Sequence, residues 1–430
     1  MKRLLPICAA LLLALTACTP PADPSPSPGG VQMPSAAESP VPSQGLTVRT
    51  DWSKLEPRPD PLPQVGSRWY ADYTADLIPR EDYGELIPYA GLRLLDDWPA
   101  STGCLYGLMT TDGAAVTDPV FSSVSRAGYG GGVLPLLVLR KGDPTLDDNW
   151  DPAMLAVAAA DGSWVTGYDY RCCRASQQGL LLLTKERLTA MGADGQILHS
   201  YSPEEMGLSQ KEFDRLFSDV LSYEGVGGTW CGDYISLDWM DDSTTAVRLY
   251  QLSTGELTAM GHDEWNDYYA AQSGDSSWEW TAGNGSTTLT RGGESHVIPH
   301  STPDGWVEVQ GDLVLFSNSC AVYTLDGKEI LPPRDHASVS WMRDALGDGG
   351  LLAVTDYSGE SIIITYYRPD GTPVPLPILD GWQDTMGTRW YRQAGLVGGL
   401  IELLDWNTAS YYDLDTGECV FRTYLGYEGE

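Results

Sequence analysis

The chain has 430 residues with 59 acidic and 26 basic side chains, so its formal net charge at pH 7 is −33. Such a charge repels phosphate groups, which excludes nucleic acid as a partner held by charge attraction. Hydrophobic residues make up 42% of the chain and charged residues only 20%, which excludes disorder of the whole. The 15 Trp and 23 Tyr, against 5 Phe, favour packed, aromatic-rich β structure.

The N-terminus has the order of a secretory signal. Two basic residues follow Met1, and an apolar run extends from Leu4 to Leu15, too short to cross ~30 Å of hydrocarbon. The quartet Leu15-Thr16-Ala17-Cys18 resembles the bacterial lipobox, which implies cleavage before Cys18 and acylation of that cysteine, with palmitate as one acyl chain. An ordinary secretory signal with a chance cysteine is the alternative. We expect residues 1–17 to be a lipoprotein signal peptide.

The segment after Cys18 has the composition of a tether. Eight prolines and five serines lie between Thr19 and Leu46. Such a composition favours solvated polyproline II over a packed core. We therefore expect residues 18–46 to be a lipidated cysteine and a Pro/Ser-rich tether. Residues 47–430 would then form a repeat domain on the extracytoplasmic face of the cell membrane.

The rest of the chain repeats. Each copy has an apolar strand, a turn, a second strand, an Asp-Gly or Thr-Gly turn and a third short strand, and a weak copy spans Trp278 to His300. The turn glycines recur about every 43 residues, close to the length of a four-stranded propeller blade, at Gly113, Gly162, Gly195, Gly255, Gly293, Gly327, Gly371 and Gly417. This pattern predicts an all-β fold, a single β-propeller of seven or eight blades.

Two local patterns add to this prediction. Between Pro203 and Val220 the apolar residues follow helical spacing after the helix start Ser202-Pro203-Glu204-Glu205, so we predict one short inserted helix. The stretch Leu46 to Thr50 alternates like a strand. In a closed ring such a strand would pair with the last unit, which ends near Tyr424.

One unit resembles a known family. Leu105-Tyr106-Gly107-Leu108-Met109, followed by Asp112-Gly113, Val116, Pro119, Phe121 and Val124, resembles one unit of the WG-repeat family. Copies in that family run aromatic-Gly-Leu-Ile, turn glycine, valine, proline, aromatic. Later units here keep the strand, turn and strand but lack the aromatic-Gly pair. The resemblance implies repeated β units and a binding role, with no active site to transfer.

Six cysteines remain in the repeat domain. Their even number is compatible with disulfides, but no Cys-x-x-Cys pair is present and the spacing does not select a pairing. A bridge from Cys104 to Cys419 across the closure of the ring is one arrangement, and two buried thiols are the other.

Motifs for catalysis or metal binding are weak. No Gly-x-Ser-x-Gly or His-Glu-x-x-His pattern is present, so the sequence predicts no catalytic residue, cofactor or metal. His296 and His300 are four apart, but Pro299 favours strand or loop over a shared metal site. Two acidic clusters, one around Asp413 and Asp415 and one at residues 147–151, offer calcium ligands but also have the composition of ordinary turns.

A recurring Asp-aromatic pair is the main candidate site. The pairs are Asp97-Trp98, Asp238-Trp239, Asp405-Trp406 and Asp356-Tyr357. Equivalent positions in repeated units would share one face, where the aromatic rings could stack on a sugar or peptide. In the purely structural alternative, aspartate opens a turn and the aromatic ring packs on the next blade. The weak candidates for ligand binding are Trp98, Asp238, Trp239, Tyr357, Asp405 and Trp406.

These patterns predict a membrane-anchored extracytoplasmic lipoprotein with a non-catalytic binding or scaffolding role on the cell surface. Its partner would be a protein, peptide or glycan of the cell envelope. The alternative is a secreted carbohydrate-active enzyme, a glycosidase or lyase, that uses carboxylates in the propeller channel. Two carboxyl groups with raised pKa in a deep pocket would favour the enzyme, and an exposed aromatic face would favour binding.

Overall fold

A computed structural model describes most of the repeat domain, and every described residue belongs to one compact unit, Gln44–Glu430. The described residues are 75–93, 104–129, 132–141, 154–215, 229–237, 246–273, 278–301, 306–347, 349–359, 363–374, 393–404 and 408–425. The signal peptide, Cys18, the tether and the strand predicted from Leu46 to Thr50 therefore lie outside the described residues.

The described strands form eight antiparallel sheets, which follow one another along the chain. Sheet 1 contains β1 (Leu86–Arg93) and β2 (Cys104–Thr110), and sheet 2 contains β3 (Ser123–Tyr129), β4 (Gly132–Lys141) and β5 (Met154–Ala159). Sheet 3 contains β6 (Cys172–Ser176), β7 (Gly179–Leu183), β8 (Leu188–Gly192) and β9 (Ile197–Tyr201). Sheet 4 contains β10 (Trp230–Cys231), β11 (Tyr234–Ser236), β12 (Ala246–Gln251) and β13 (Glu256–Gly261). The all-β prediction is confirmed.

The second half of the domain continues in the same way. Sheet 5 contains β14 (Glu279–Ala282), β15 (Thr287–Arg291) and β16 (Glu294–Ile298), and sheet 6 contains β17 (Val307–Gln310), β18 (Leu313–Phe316), β19 (Ala321–Thr324) and β20 (Glu329–Leu331). Sheet 7 contains β21 (Ala337–Arg343), β22 (Gly350–Asp356) and β23 (Ile363–Tyr367), and sheet 8 contains β24 (Gln393–Val397), β25 (Leu400–Leu404), β26 (Thr408–Asp413) and β27 (Cys419–Tyr424). Each sheet is a meander of sequence neighbours.

Short bridges extend three of the smaller sheets by one irregular segment. Residues 165–170 pair with β5 in sheet 2 through two isolated bridges, and Pro373 pairs with Tyr367 in sheet 7 through one, so each of these three-stranded sheets has an irregular segment at the fourth position. Residues 115–121 pair with β2 in sheet 1 in the same way. Sheet 5 has three strands within residues 278–301.

The eight turn glycines lie in eight different sheets, each between the third and fourth strand positions. All eight have positive φ, between 70° and 89°. An L-residue with a side chain rarely adopts this conformation, whereas glycine does so without steric cost. The turn itself is therefore confirmed at every position, including Gly293 in the weak copy. Its place in the unit differs from the prediction, because the strand before the glycine that opens a unit, as at Gly132, Gly179 and Gly350, is the first strand of the same sheet.

Among the described residues two α-helices interrupt the strands, of which the sequence predicted one. The predicted helix is present as α1 (Gln210–Arg215), within the predicted range, but the predicted start at residues 202–205 was wrong, because residues 203–207 form a turn. The Glu212 backbone N–H donates to Ser209 Oγ, and the Ser209 N–H donates to the Glu212 carboxylate, 3.3 and 2.9 Å. This capping box fixes the start at Gln210.

The second helix, α2 (His262–Ser273), has no clear apolar stripe in its sequence. It packs on sheet 4 mainly through Trp265, which is buried against Cys231, Val247 and Leu249. Trp265 is the one buried residue described in this helix, and half-buried Tyr268 adds an edge contact to the Tyr234 ring at 5.5 Å, so the wider apolar stripe that identifies most surface helices is missing.

The first and last sheets pack directly against each other. The Tyr89 and Phe421 rings lie 4.9 Å apart, and the Ala90 N–H donates to the Tyr411 hydroxyl at 2.8 Å. One buried apolar cluster contains residues of sheets 1, 2 and 8. Sheet 8 takes all four of its strands from residues 393–424, so the described contact between the two ends of the domain needs no exchanged strand.

All six cysteines of the repeat domain are thiols, and none is in a disulfide. Of the two predicted arrangements, the structure has the two thiols and not the bridge. Cys104 is buried as predicted, whereas Cys419 is half-buried. Burial raises the pKa of the Cys419 thiol. It has the same effect on Cys173, whose pKa rises to about 12, which keeps that thiol protonated and unreactive.

Candidate functional site

The sheets have two different ends. At the glycine-turn end, defined by the eight turn glycines, connections are tight hairpins. The opposite end, which we call the loop end, carries two kinds of connection. One joins the second strand of a sheet to its third strand, and the other joins one sheet to the next. A parallel bridge between Asp344 and Leu396 shows that the first strands of sheets 7 and 8 run in the same direction. Sheets 7 and 8 therefore present equivalent loops at the same end.

The loop end carries the one sequence-predicted ligand residue that the structure describes. Tyr357 directly follows β22, is 50% exposed, and its hydroxyl lies 3.2 Å from Ser338 Oγ. The Ser358 N–H donates to the Asp356 carboxylate at 2.7 Å, so this aspartate has the predicted role of opening a turn.

The other candidates, Trp98, Asp238, Trp239, Asp405 and Trp406, lie outside the described residues. In chain order they fall between β1 and β2, between β11 and β12, and between β25 and β26. Tyr357 falls between β22 and β23, which is the same connection from a second to a third strand.

The most exposed large aromatic residue among those described was missed by the sequence analysis. Trp306 is 72% exposed and lies in the connection from sheet 5 to sheet 6, at the loop end. Its carbonyl accepts the Ser317 N–H at 3.1 Å, which fixes the backbone beneath the ring. The turn-forming residues Pro303-Asp304-Gly305 directly before an isolated Trp were the available signal.

A polar pair lies beside this connection. His300 Nε2 is 2.9 Å from Ser319 Oγ, and the imidazole stacks on Tyr323 with ring centroids 5.7 Å apart. Burial lowers the pKa of His300, so the ring is neutral at neutral pH. Within the described residues no hydrogen bond orients the other ring nitrogen. Among the described residues the pair therefore has no third member of the kind that orients the base beside a serine nucleophile.

The residues that the sequence analysis weighed as metal ligands have other partners where the structure describes them, and the cluster at residues 147–151 lies outside the described residues. His296 Nε2 lies 2.7 Å from a Glu294 carboxylate oxygen, away from the Ser319 contact of His300. Asp413 Oδ1 accepts two backbone N–H groups and the Thr416 hydroxyl at 2.8–3.0 Å, while Asp415 binds Arg368 at 2.7 Å. These aspartates act in a turn and an ion pair. In the part of the chain that the structure describes, no three His, Cys, Asp or Glu side chains converge as a metal site.

One carboxyl group lies deep between sheets 1 and 8. The Tyr411 hydroxyl donates to Glu402 Oε1 at 2.6 Å and accepts the Ala90 N–H. Desolvation raises the pKa of Glu402, and it also raises the pKa of Tyr411 and of Tyr106. Among the described carboxyl groups, Glu402 is the one with a raised pKa, and its hydrogen-bond partner is a phenol. This arrangement differs from the pair of carboxyl groups that glycoside hydrolysis uses.

The chain was compared with known proteins. No family model and no curated protein matches it. Among solved structures, Kluyveromyces lactis Hsv2 is 11% identical over 56% of this chain and 72% of that chain, with a TM-score of 0.22. The Neurospora crassa Pan2 WD40 domain is 9% identical over 72% and 90%, TM-score 0.19. An oligogalacturonate lyase in complex with manganese is 9% identical over 83% and 99%, TM-score 0.22. The description of the fold therefore rests on this chain's own strands and registers.

No helix among the described residues is long and apolar enough to cross a bilayer.

Proposed function

We propose that this chain is a lipoprotein, anchored through Cys18 on the extracytoplasmic face of the membrane, whose repeat domain is an eight-bladed β-propeller. Eight sequential meander sheets and the contact between sheets 1 and 8 support a closed ring of eight units. The lipobox-like quartet supports the anchor. The domain binds an envelope glycan at its loop end and does not catalyse a reaction.

The observation that carries the binding proposal is the exposure of Trp306 at 72%. Exposing a large aromatic ring to water is unfavourable, and an exposed ring in a connection that also carries a hydrogen-bonding group is the kind of surface on which a sugar stacks. Tyr357 adds a second exposed ring at the same end of the sheets. His300 and Ser319 supply hydrogen-bonding groups beside the connection that carries Trp306.

Purified insoluble peptidoglycan is the probe for this site. We expect the full-length protein to sediment with it, and Trp306→Ala to weaken the apparent Kd about tenfold, which corresponds to about 1.4 kcal/mol. Ile197→Ala is the matched control, because Ile197 is also a large exposed apolar residue, 60% exposed, but follows the turn at Gly195. Equal binding of the two variants, or no binding of the wild type, overturns the proposal.

The anchor has its own test. In cells fed a radiolabelled or alkyne-tagged fatty acid, we expect Cys18→Ala to lose the label, because no thiol remains at the lipobox position. Cys8→Ala is the control, since Cys8 lies within the apolar run of the signal and should leave labelling unchanged. Continued labelling of Cys18→Ala refutes anchoring at that residue.

A further inference from the structure

Sheet 5 lacks the strand that begins the four-stranded sheets. Gly293 forms the turn between β15 and β16, which makes these the third and fourth strands and β14 the second. In the chain, α2 and residues 274–277 stand between β13 and β14, where a first strand would lie. Because α2 packs on sheet 4 through Trp265, it does not pair with β14 as a strand would. The first-strand position of sheet 5 is thus left without a strand among the described residues.

The register identifies the backbone groups on this edge. Gly283 donates to Ser286 across a two-residue turn, so the hydrogen-bonded pairs of the β14–β15 ladder are Thr281 with Thr288 and Glu279 with Thr290. The N–H and C=O groups of Trp280 and Ala282 therefore point to the free edge. No described residue bonds to them, and Trp280 is 40% exposed.

Among the described residues sheet 1 also has no first strand, but the edge of β1 is closed. The Leu86 N–H donates to the Ala160 carbonyl, Pro88 has no N–H, and the Ala90 N–H donates to the Tyr411 hydroxyl. In β1, the backbone groups of Leu86, Pro88 and Ala90 are the ones that point away from β2. Proline and side-chain capping are recognised ways to prevent an edge from pairing. The edge of β14 has neither protection, so it can accept an added strand.

The sequence predicts one strand that no described sheet uses, Leu46-Thr47-Val48-Arg49-Thr50. Sheet 8, where a closing strand would be expected, is complete without it. Twenty-four residues separate Thr50 from Ala75, the first described residue. At ~3.3 Å per residue they reach up to roughly 80 Å, enough to cross a compact domain whose expected radius of gyration is about 21 Å.

Charge near the free edge is complementary to this strand. Glu279, the one charged residue of β14, is exposed. Arg291, the nearest described cation in the sheet, is already held over the Trp278 ring and against Glu294. Arg49 would therefore approach an acidic side chain at this edge, which adds a modest attraction to the main-chain pairing.

We propose that Leu46–Thr50 binds to the free edge of β14 and completes sheet 5 as its first strand. The main-chain groups of Trp280 and Ala282 hold it, and its alternating side chains fit the pleat of the sheet. Since the tether ends at Leu46, this docking fixes the point at which the tether meets the domain. The proposal does not depend on the ligand of the loop end.

Amide hydrogen exchange on the full-length protein tests this pairing. We expect amides in residues 46–50 to exchange at least about tenfold more slowly than those of the neighbouring tether, and Ala282→Pro to abolish this protection. Proline removes an N–H that points to the free edge and leaves the ladder to β15 intact. Ala282→Val is the matched control, because it enlarges the same side chain but keeps the N–H, and it should preserve the protection.

A second variant tests the same pairing from the other strand, in case Ala282→Pro does not fold. Deleting residues 46–50 should raise exchange at Trp280 and Ala282 while Thr281 and Thr288 stay protected by their ladder. Fast exchange of residues 46–50 in the wild type overturns the proposal. Protection that appears only with dimer formation on a sizing column also overturns it, since the strand would then be donated to a second copy.

Discussion

Glu402 lies on β25 with its carboxyl group facing the first sheet of the domain. Its hydrogen bond from Tyr411, which in turn accepts the Ala90 N–H, joins three polar groups across the contact of sheets 1 and 8. Desolvation raises the pKa of Glu402 because the protein favours the neutral acid. We therefore expect the contact between sheets 1 and 8 to depend on pH.

The first prediction concerns this carboxyl group. Folding raises the pKa of Glu402, so the stability that this carboxyl group contributes is fully present below its ordinary pKa of 4.5. That stability is lost as the pH rises through the pKa of the folded state. We expect Glu402→Gln, which still accepts the Tyr411 hydroxyl, to be more stable than the wild type at pH 8 and close to it at pH 4. Thermal unfolding at both pH values measures this difference.

Glu418→Gln on the same sheet is the control, because Glu418 is exposed. It should shift the midpoint equally little at the two pH values. A Glu402→Gln midpoint that differs from wild type by the same amount at pH 4 and pH 8 would exclude a pH-dependent role for Glu402.

Single residues of the candidate site were only partly predictable. The Asp-aromatic repeat placed Tyr357 in a connection from a second to a third strand, because repeated units put equivalent residues at equivalent positions. Asp356 shows why the same pattern does not prove binding, since its carboxylate accepts the Ser358 N–H as a turn residue. His300 and Ser319 come from different connections and meet only in the folded chain, so spacing along the sequence contains no signal for their contact.

At the scale of elements, the third-to-fourth turns are the most regular feature. Gly113 and Gly293 occupy the same turn position in sheets 1 and 5, with φ of 87° and 89°. A Cβ at Gly113 would lie 2.2 Å from the Val420 carbonyl oxygen of sheet 8, whereas a Cβ at Gly293 would meet no atom within 4 Å. Substituting Gly293 therefore tests backbone strain alone, whereas substituting Gly113 tests backbone strain together with the packing of sheet 1 against sheet 8.

The second prediction uses this pair. We expect Gly293→Ala to lower the free energy of unfolding by about 1–2 kcal/mol, the cost of a left-handed alanine. Gly113→Ala should cost that amount and a further 1–3 kcal/mol, since the backbone at Val420 must move. Urea denaturation of both variants gives the comparison. Equal losses would show that sheets 1 and 8 are not tightly packed at this turn.

Strands and turns were predicted from sequence because both have local causes. Alternating apolar residues set the strands, and positive φ at each turn selects glycine. The helix α2 was missed because its burial depends on Trp265 meeting sheet 4, which is a long-range contact. The absence of a first strand from the described part of sheet 5 was also not predicted. The sequence of this unit matched the repeat only weakly, but it did not indicate which strand was absent.

At the scale of the whole molecule, the contact between sheets 1 and 8 decides whether eight sheets behave as one unit. Phe421 is fully buried and packs on the Tyr89 ring of sheet 1 and on Tyr411 of its own sheet. In a closed ring every sheet has two neighbours, so opening one contact exposes two sheets at once. An open array would instead fray from its ends.

The third prediction compares two buried phenylalanines. Phe421→Ala should cost about 3–5 kcal/mol and speed amide exchange in β1 as well as in β27, because the cavity lies between the first and last sheets. Phe316, which is equally buried, lies 4.7 Å from the His300 ring between sheets 5 and 6. Phe316→Ala should cost a similar amount but speed exchange in β16 and β18, with β1 unchanged. If Phe421→Ala leaves exchange in β1 at the wild-type rate, sheets 1 and 8 do not stabilise each other and the ring is open.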